Sequence, residues 1–211
     1  MKFMKEFESM ENAGIIRRST SPWVSPLHMV KKKDGLWRPC GVYCRLNNVT
    51  VPDRYPLPKI ADFSSQISGS KVFSKLDLQK GNYQVPMAPD DIKKTAIITP
   101  FGMFEFLRLP FRLRNTGQTF QRLKDQVFRG LPYCFEYVDD ILVFSPDLSS
   151  HLVHLREVLE LCRLHGLTVG LPKCVFAVSK VEFLEHNLKS SGCGPLSKHT
   201  SAINEFPTRT D

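Results

Sequence analysis

The 211-residue sequence has no CxxC pair and no uninterrupted apolar run near the roughly 18 residues that a membrane helix requires. Its first ten residues, Met1 to Met10, alternate charged and apolar side chains, so the apolar stretch of a secretory signal is missing. No internal repeat and no low-complexity linker interrupts the chain. These absences exclude a zinc ribbon, a membrane span and a solenoid, and they lead to the expectation of an intracellular, reducing location rather than secretion. The six cysteines, at 40, 44, 134, 162, 174 and 193, are scattered through apolar sequence and are expected to be buried free thiols. His151 and His154 lie three apart on an expected helix, but no matching pair stands at zinc-site spacing, so no zinc site is expected.

What is present fits one globular core, since 42% of residues are hydrophobic and 24% are charged. The net charge of +8 is unevenly spread. Residues 1–60 hold eleven basic against five acidic side chains, residues 61–140 eleven against nine, and residues 141–211 seven against seven. A polyanionic partner is therefore expected at the N-terminal third.

Phe3 to Asn12 reads as a helix stopped by Gly14. Leu27–Val30 and Trp37–Tyr43 flank Asp34 and Gly35 and predict a hairpin with a lysine-rich tip, and Pro52, Pro56 and Pro58 forbid regular structure after it. Val72–Leu78 predicts a strand with Phe73, Lys75 and Asp77 on one face and Leu76 and Leu78 on the other. A second hairpin is expected around Pro100 and Gly102. Asn115 or Thr116 is placed to cap a helix that turns Phe120, Leu123, Val127 and Phe128 to one side. Phe135–Phe144 reads as two strands joined at Asp139 and Asp140, followed by a helix capped by Ser149 or Ser150 with Leu152, Leu155, Leu159 and Cys162 inward. Hairpins mixed with long helices, without a βαβ rhythm, predict an α+β fold with an antiparallel sheet backed by helices.

The chemistry-bearing segment is Tyr137-Val138-Asp139-Asp140, where adjacent carboxylates sit in an otherwise apolar strand pair. Two such charges repel, and a divalent cation removes that cost; hard oxygen donors with open positions suit Mg²⁺. By itself an Asp-Asp pair is more often an ordinary acidic turn. Asp77 on a neighbouring strand supplies a third carboxylate, the composition of a site for two ions about 3.5 to 4 Å apart.

The order Phe73-Ser-Lys-Leu-Asp77-Leu, Leu109-Pro-Phe111, Tyr137-Val-Asp-Asp140 and Gly170-Leu-Pro-Lys173-Cys resembles the motif series of the reverse transcriptases of gypsy-type LTR retrotransposons. Ser21-Pro-Trp-Val-Ser-Pro-Leu, Val51-Pro-Asp-Arg-Tyr-Pro-Leu-Pro and Thr99-Pro-Phe-Gly-Met-Phe-Glu-Phe resemble the same branch, and the likeness runs from about residue 14 to about residue 188. The resemblance implies a right-hand polymerase with fingers and palm over residues 14–189, a lead-in helix over 1–13, and the start of the connection to a thumb over 190–211. It implies an RNA-directed DNA polymerase that uses two Mg²⁺ ions, deoxynucleoside triphosphates and a primer on an RNA or DNA template. It also implies a fragment of a polyprotein, with thumb, ribonuclease H and integrase segments lying elsewhere, in a cytoplasmic particle or the nucleus.

Carried over residue by residue, Asp77, Asp139 and Asp140 are the metal ligands, and Lys173 is a proton donor beside the departing pyrophosphate. Lys31, Lys32, Lys33 and Arg38 clamp the triphosphate, with Asn82, Tyr83 and Phe111 around the nucleotide. Tyr137, Arg45, Asn47, Leu184 and Glu185 face primer and template. The chain departs from the family pattern at Val42 and Cys44, where Asp and Arg are usual, and at Asn82, where an aromatic residue excludes the 2′-hydroxyl. Arg112 and Glu185 each stand where the family has glycine. These departures touch substrate-facing positions, so a second expectation is a folded remnant that binds nucleic acid without synthesis.

Overall fold

The computed structural model describes residues 2–31, 35, 37–58, 65–190 and 192–195. They gather into two compact units, Met1–Leu57 with Lys80–Leu123, and Pro58–Gln79 with Lys124–Asp211. Among the described residues no helix is long and apolar enough to cross a membrane.

In the first unit, helix α1 (Lys2–Asn12) ends at Gly14, whose φ of +64° supplies the left-handed stop that the sequence predicts. Strands β1 (Ile16–Arg18), β2 (Ser25–Lys31), β3 (Trp37–Gly41), β5 (Ile97–Thr99) and β6 (Gly102–Phe106) form a sheet of order β1-β6-β5-β2-β3. Both expected hairpins are there, β2 with β3 and β5 with β6, but β2 and β5 run parallel. The long excursion between these two strands is what permits the parallel pair, while the expected antiparallel sheet is that of the second unit.

Phe7, Met10, Ile16, Tyr43, Ile97, Phe104 and Phe106 close the core of this unit. Tyr43 lies over Gly41, where a Cβ would come within 2.3 Å of its ring, and its hydroxyl donates to the Thr95 carbonyl at 2.9 Å. Helix α2 (Cys44–Val49) follows, a helical turn α3 spans Pro89–Ile92, and helix α4 (Thr116–Val127) begins in this unit. Cys44 is exposed, contrary to the expectation of burial, because α2 is short and buries none of its side chains.

Asn115 and Thr116 do not cap α4 with their side chains. Asn115 accepts from the Asp53 amide and donates to the Val51 carbonyl, while the Thr116 hydroxyl donates to the Pro110 carbonyl. Their polar groups thus fix the proline-rich segment and the Leu109–Phe111 turn instead of the helix end.

The second unit is built on β4 (Val72–Asp77), β7 (Cys134–Tyr137), β8 (Asp140–Ser145) and β9 (Val175–Val178), an antiparallel sheet of order β7-β8-β4-β9. A smaller sheet of β10 (Lys180–Phe183), β11 (His186–Lys189) and β12 (Gly192–Pro195) packs Val181, Phe183 and Leu188 against Phe73, Phe135, Leu142 and Phe144. Helix α5 (Leu148–Leu164) lies against β8 and β4.

Asp147, two residues before the first of the serines expected, caps α5 by accepting from the Ser150 amide at 2.9 Å. The helix is also rotated from the expected phase. His151, Val158 and Cys162 are buried while Leu152 is 52% exposed. The cause is His151, whose ring nitrogens lie 2.7 Å from Ser74 Oγ and 2.9 Å from Ser145 Oγ. Two strand hydroxyls satisfy both of its polar atoms, which lets an imidazole take a core position. Burial pushes the thiols of Cys40, Cys134 and Cys162 above their ordinary value, in keeping with inert core cysteines.

Candidate active site

Within the second unit, β4 and β8 are in register from Val72↔Ser145 to Asp77↔Asp140. Residues directly opposite in an antiparallel pair share a face, with Cα atoms about 4.5 to 5.5 Å apart. Asp77 and Asp140 therefore fall opposite one another on one face at the end of the sheet. Asp139 occupies the two-residue turn between Tyr137 and Asp140, and its carbonyl accepts from the Leu78 amide at 2.9 Å, tying the turn to the end of β4. Val138, the other turn residue, has φ +51°. A β-branched residue in the left-handed region is strained by about 1 to 3 kcal/mol, a feature that concentrates at functional sites.

The segment after α5 wraps the same end of β4. Gly170 donates its amide to the Asp77 carbonyl at 2.7 Å, and the Asp77 amide reaches Cys174 Sγ at 3.4 Å. A Cβ on Gly170 would stand 3.1 Å from Asp77 Oδ2, so glycine leaves room beside that carboxylate. Lys173 Nζ lies 3.5 Å from Asp77, and Lys75 Nζ lies 3.3 Å from Asp140 Oδ2. Sequence reasoning placed Lys75 on the face of Asp77 but not on Asp140, a contact that depends on the strand register.

Among the described residues no three His, Cys, Asp or Glu side chains are gathered tightly enough to hold an ion as they stand. The two register partners are turned to lysines. The donor set still fits Mg²⁺: hard carboxylate oxygens at the edge of a sheet, with space kept by Gly170, and a shell that water and substrate oxygens complete.

Of the primer-facing candidates here, Tyr137 and Leu184 both pack on the core cluster of this unit. Leu184 and Glu185 form the tight turn between β10 and β11, at φ +48° and +63°. A two-residue turn with both residues at positive φ is the type I′ geometry that favours Asn-Gly. Glu185 thus keeps the backbone of the glycine it replaces. Beneath the Tyr137 hairpin Lys124 is fully buried on α4, and burial lowers its pKa to about 8, opposed first by the nearby Glu136 charge. Burial raises Glu136 to about 7. An apolar helix face was expected there, and no spacing signal marks this charged pair in the sequence.

In the first unit, Arg38 stacks over the Phe111 ring at 4.4 Å, and Tyr83 meets Phe111 edge-on at 5.3 Å. Three of the nucleotide-contact candidates are thus brought together. Asn82 is buried next to them, and the buried Tyr83 hydroxyl has no hydrogen-bond partner among the described residues. Lys31 is exposed at the end of β2, while Lys32 and Lys33 lie outside the described residues. Arg45 is exposed on α2. Asn47 donates to the Arg112 carbonyl at 2.8 Å and accepts from the Arg114 amide at 2.9 Å, so its amide fixes a loop. That loop holds Arg112 at φ +71°, again a glycine-like backbone.

The chain is 39% identical to the retrovirus-related Pol polyprotein from the transposon opus of Drosophila melanogaster, over 98% of this chain and 21% of that one. It is 36% identical to the corresponding polyprotein of the transposon gypsy, over 96% of this chain and 20% of that one. It therefore spans about a fifth of the length of these relatives. The enzymatic polyprotein of cauliflower mosaic virus (strain Strasbourg) is 32% identical over 98% of this chain.

In fold, the chain superposes on a foamy viral protease-reverse transcriptase in complex with double-stranded DNA with a TM-score of 0.91, at 23% identity, over 99% of this chain and 37% of that one. A foamy viral protease-reverse transcriptase in complex with an RNA/DNA hybrid gives a TM-score of 0.86. The family described as reverse transcriptase (RNA-dependent DNA polymerase) matches residues 30–188, and the chain belongs to that family.

Proposed function

We propose that this chain is the fingers-and-palm core of an RNA-directed DNA polymerase and that Asp77, Asp139 and Asp140 are its catalytic carboxylates. The observation that carries the reading is the in-register pairing of Asp77 with Asp140 at a strained hairpin that also carries Asp139. The primer 3′-hydroxyl releases its proton to solvent as its oxygen forms a bond to the α-phosphorus of a deoxynucleoside triphosphate, the bond to the bridging oxygen breaks, and pyrophosphate leaves. When bound between the carboxylates, Mg²⁺ supplies activation of the attacking hydroxyl and neutralisation of the leaving phosphates. Lys173, already beside Asp77, delivers a proton to the departing group. Arg38 and the lysines at 31–33 neutralise the triphosphate, and further segments of a polyprotein hold primer and template.

A second reading, binding of nucleic acid without synthesis, is favoured by Arg112 and Glu185, long charged side chains set on glycine-type backbone at turns the polymerase reading would turn toward substrate. Extension of a labelled DNA primer on an RNA template separates the two. The polymerase reading expects Mg²⁺-dependent addition of only the template-complementary nucleotide. Binding of the duplex with no addition at any Mg²⁺ concentration supports the second reading and overturns the first.

A further inference from the structure

Lys75 stands in β4 two residues before Asp77 and on the same face, opposite the fully buried Leu142. Its neighbours on that face include Phe73 and Phe183, both in the apolar cluster of the second unit, so its stem borders that cluster. Its ammonium is 5.9 Å from the centre of the Phe183 ring and 3.3 Å from Asp140 Oδ2, and 25% of its side chain is exposed. A partly buried lysine at the edge of an apolar cluster is held in place by the carboxylate that meets its ammonium. The partner is one of the two carboxylates that face each other across the register, an arrangement that is destabilising for like charges. Lys173 at Asp77 is a looser contact, since its side chain is 75% exposed.

We infer that Lys75 is the resident counter-ion of Asp140: it holds that carboxylate in the ion-free chain and gives it up when a divalent cation enters. Lys75 thereby sets the metal concentration at which the site fills. This rests on the reading of the three aspartates as metal holders. Lys75 touches neither substrate nor metal and acts through Asp140, which makes it a positioning residue. Metal entry becomes an exchange of one cation for another, and the strained Val138 hairpin is never left with two bare carboxylates.

The test is Mn²⁺ binding to the full chain without nucleic acid, read from the paramagnetic resonance of free Mn²⁺ at low ionic strength. Lys75→Met keeps the apolar stem and removes the charge; Lys75→Arg keeps the charge. The Met variant should bind Mn²⁺ about tenfold more tightly, from loss of a unit positive charge near the site, while the Arg variant matches the wild type. The ion-free melting temperature of the Met variant should fall, and Mn²⁺ should raise it more than it raises that of the wild type. Lys75→Gln repeats the comparison if the Met variant does not fold. Equal or weaker affinity without the charge overturns the inference alone. If Asp139→Asn binds Mn²⁺ as well as the wild type does, the metal reading itself has failed and takes this inference with it.

Discussion

Asp77 at the end of β4 and Asp140 at the start of β8 are register partners, and each carboxylate is held by its own lysine, Lys173 at 3.5 Å and Lys75 at 3.3 Å. Two acids brought face to face by strand pairing repel, and the fold answers with cations on either side. On the proposed reading, the same pairing that makes the site costly is what would let it hold an ion.

Arg112 and Glu185 sit at φ +71° and +63°, where a side chain costs about 1 to 2 kcal/mol relative to glycine. Arg112→Gly and Glu185→Gly should each raise stability in denaturant unfolding by roughly 1 kcal/mol, less the added entropy of the unfolded chain. Neutral or destabilising outcomes at both sites would show that the turns do not carry this strain.

Restoring the family residues should also raise activity. With the same thumb segment joined downstream of both, a chain with Val42→Asp, Cys44→Arg, Asn82→Tyr, Arg112→Gly and Glu185→Gly should extend a primer at least about 100-fold faster than the unmodified chain, a barrier change of roughly 2.7 kcal/mol. Equal rates would mean that the five substitutions are not damage.

His151 is fully buried, and its pKa is lowered, first by burial and then by His154. A folded-state value below the unfolded 6.5 disfavours the cation. The stability it brings is present above the unfolded value and is lost as pH falls toward the folded one. Melting temperature should therefore drop more steeply on acidification from neutral pH in the wild type than in His151→Gln. The raised Glu136 contributes with the opposite sign in both proteins and cancels in the difference. Parallel pH profiles would contradict the assignment.

Nucleic-acid binding should be weak, non-specific and steeply salt-dependent, because it rests on phosphate contacts from the basic N-terminal third. Replacing Lys31, Lys32 and Lys33 with alanine should flatten the slope of log affinity against log salt by about two to three units. An unchanged slope would place the nucleic acid elsewhere on the chain.

Much of this was legible in the residues. Alternation in Val72–Leu78 put Asp77 and Lys75 on one face, Gly14 stopped α1, and the two aspartates fell at a hairpin. What stayed hidden depends on tertiary partners. The inward face of α5 turns on a histidine that two distant serines satisfy, and its cap is Asp147 rather than the serines that follow. The Lys75 contact requires the β4–β8 register, and buried Lys124 sits where periodicity offers only an apolar stripe. Positive φ at Arg112 and Glu185 was legible only through the glycines that the family resemblance implies there, not in the side chains this chain carries.

Asp77, Asp139 and Asp140 are proposed to act together as the catalytic carboxylates. Single-nucleotide incorporation at saturating Mg²⁺ tests it most directly, with Asp139→Asn set against the wild type and duplex affinity measured alongside. The rate should fall at least about 1,000-fold, a barrier change near 4 kcal/mol, with duplex affinity essentially unchanged. Incorporation by Asp139→Asn at the wild-type rate would contradict it.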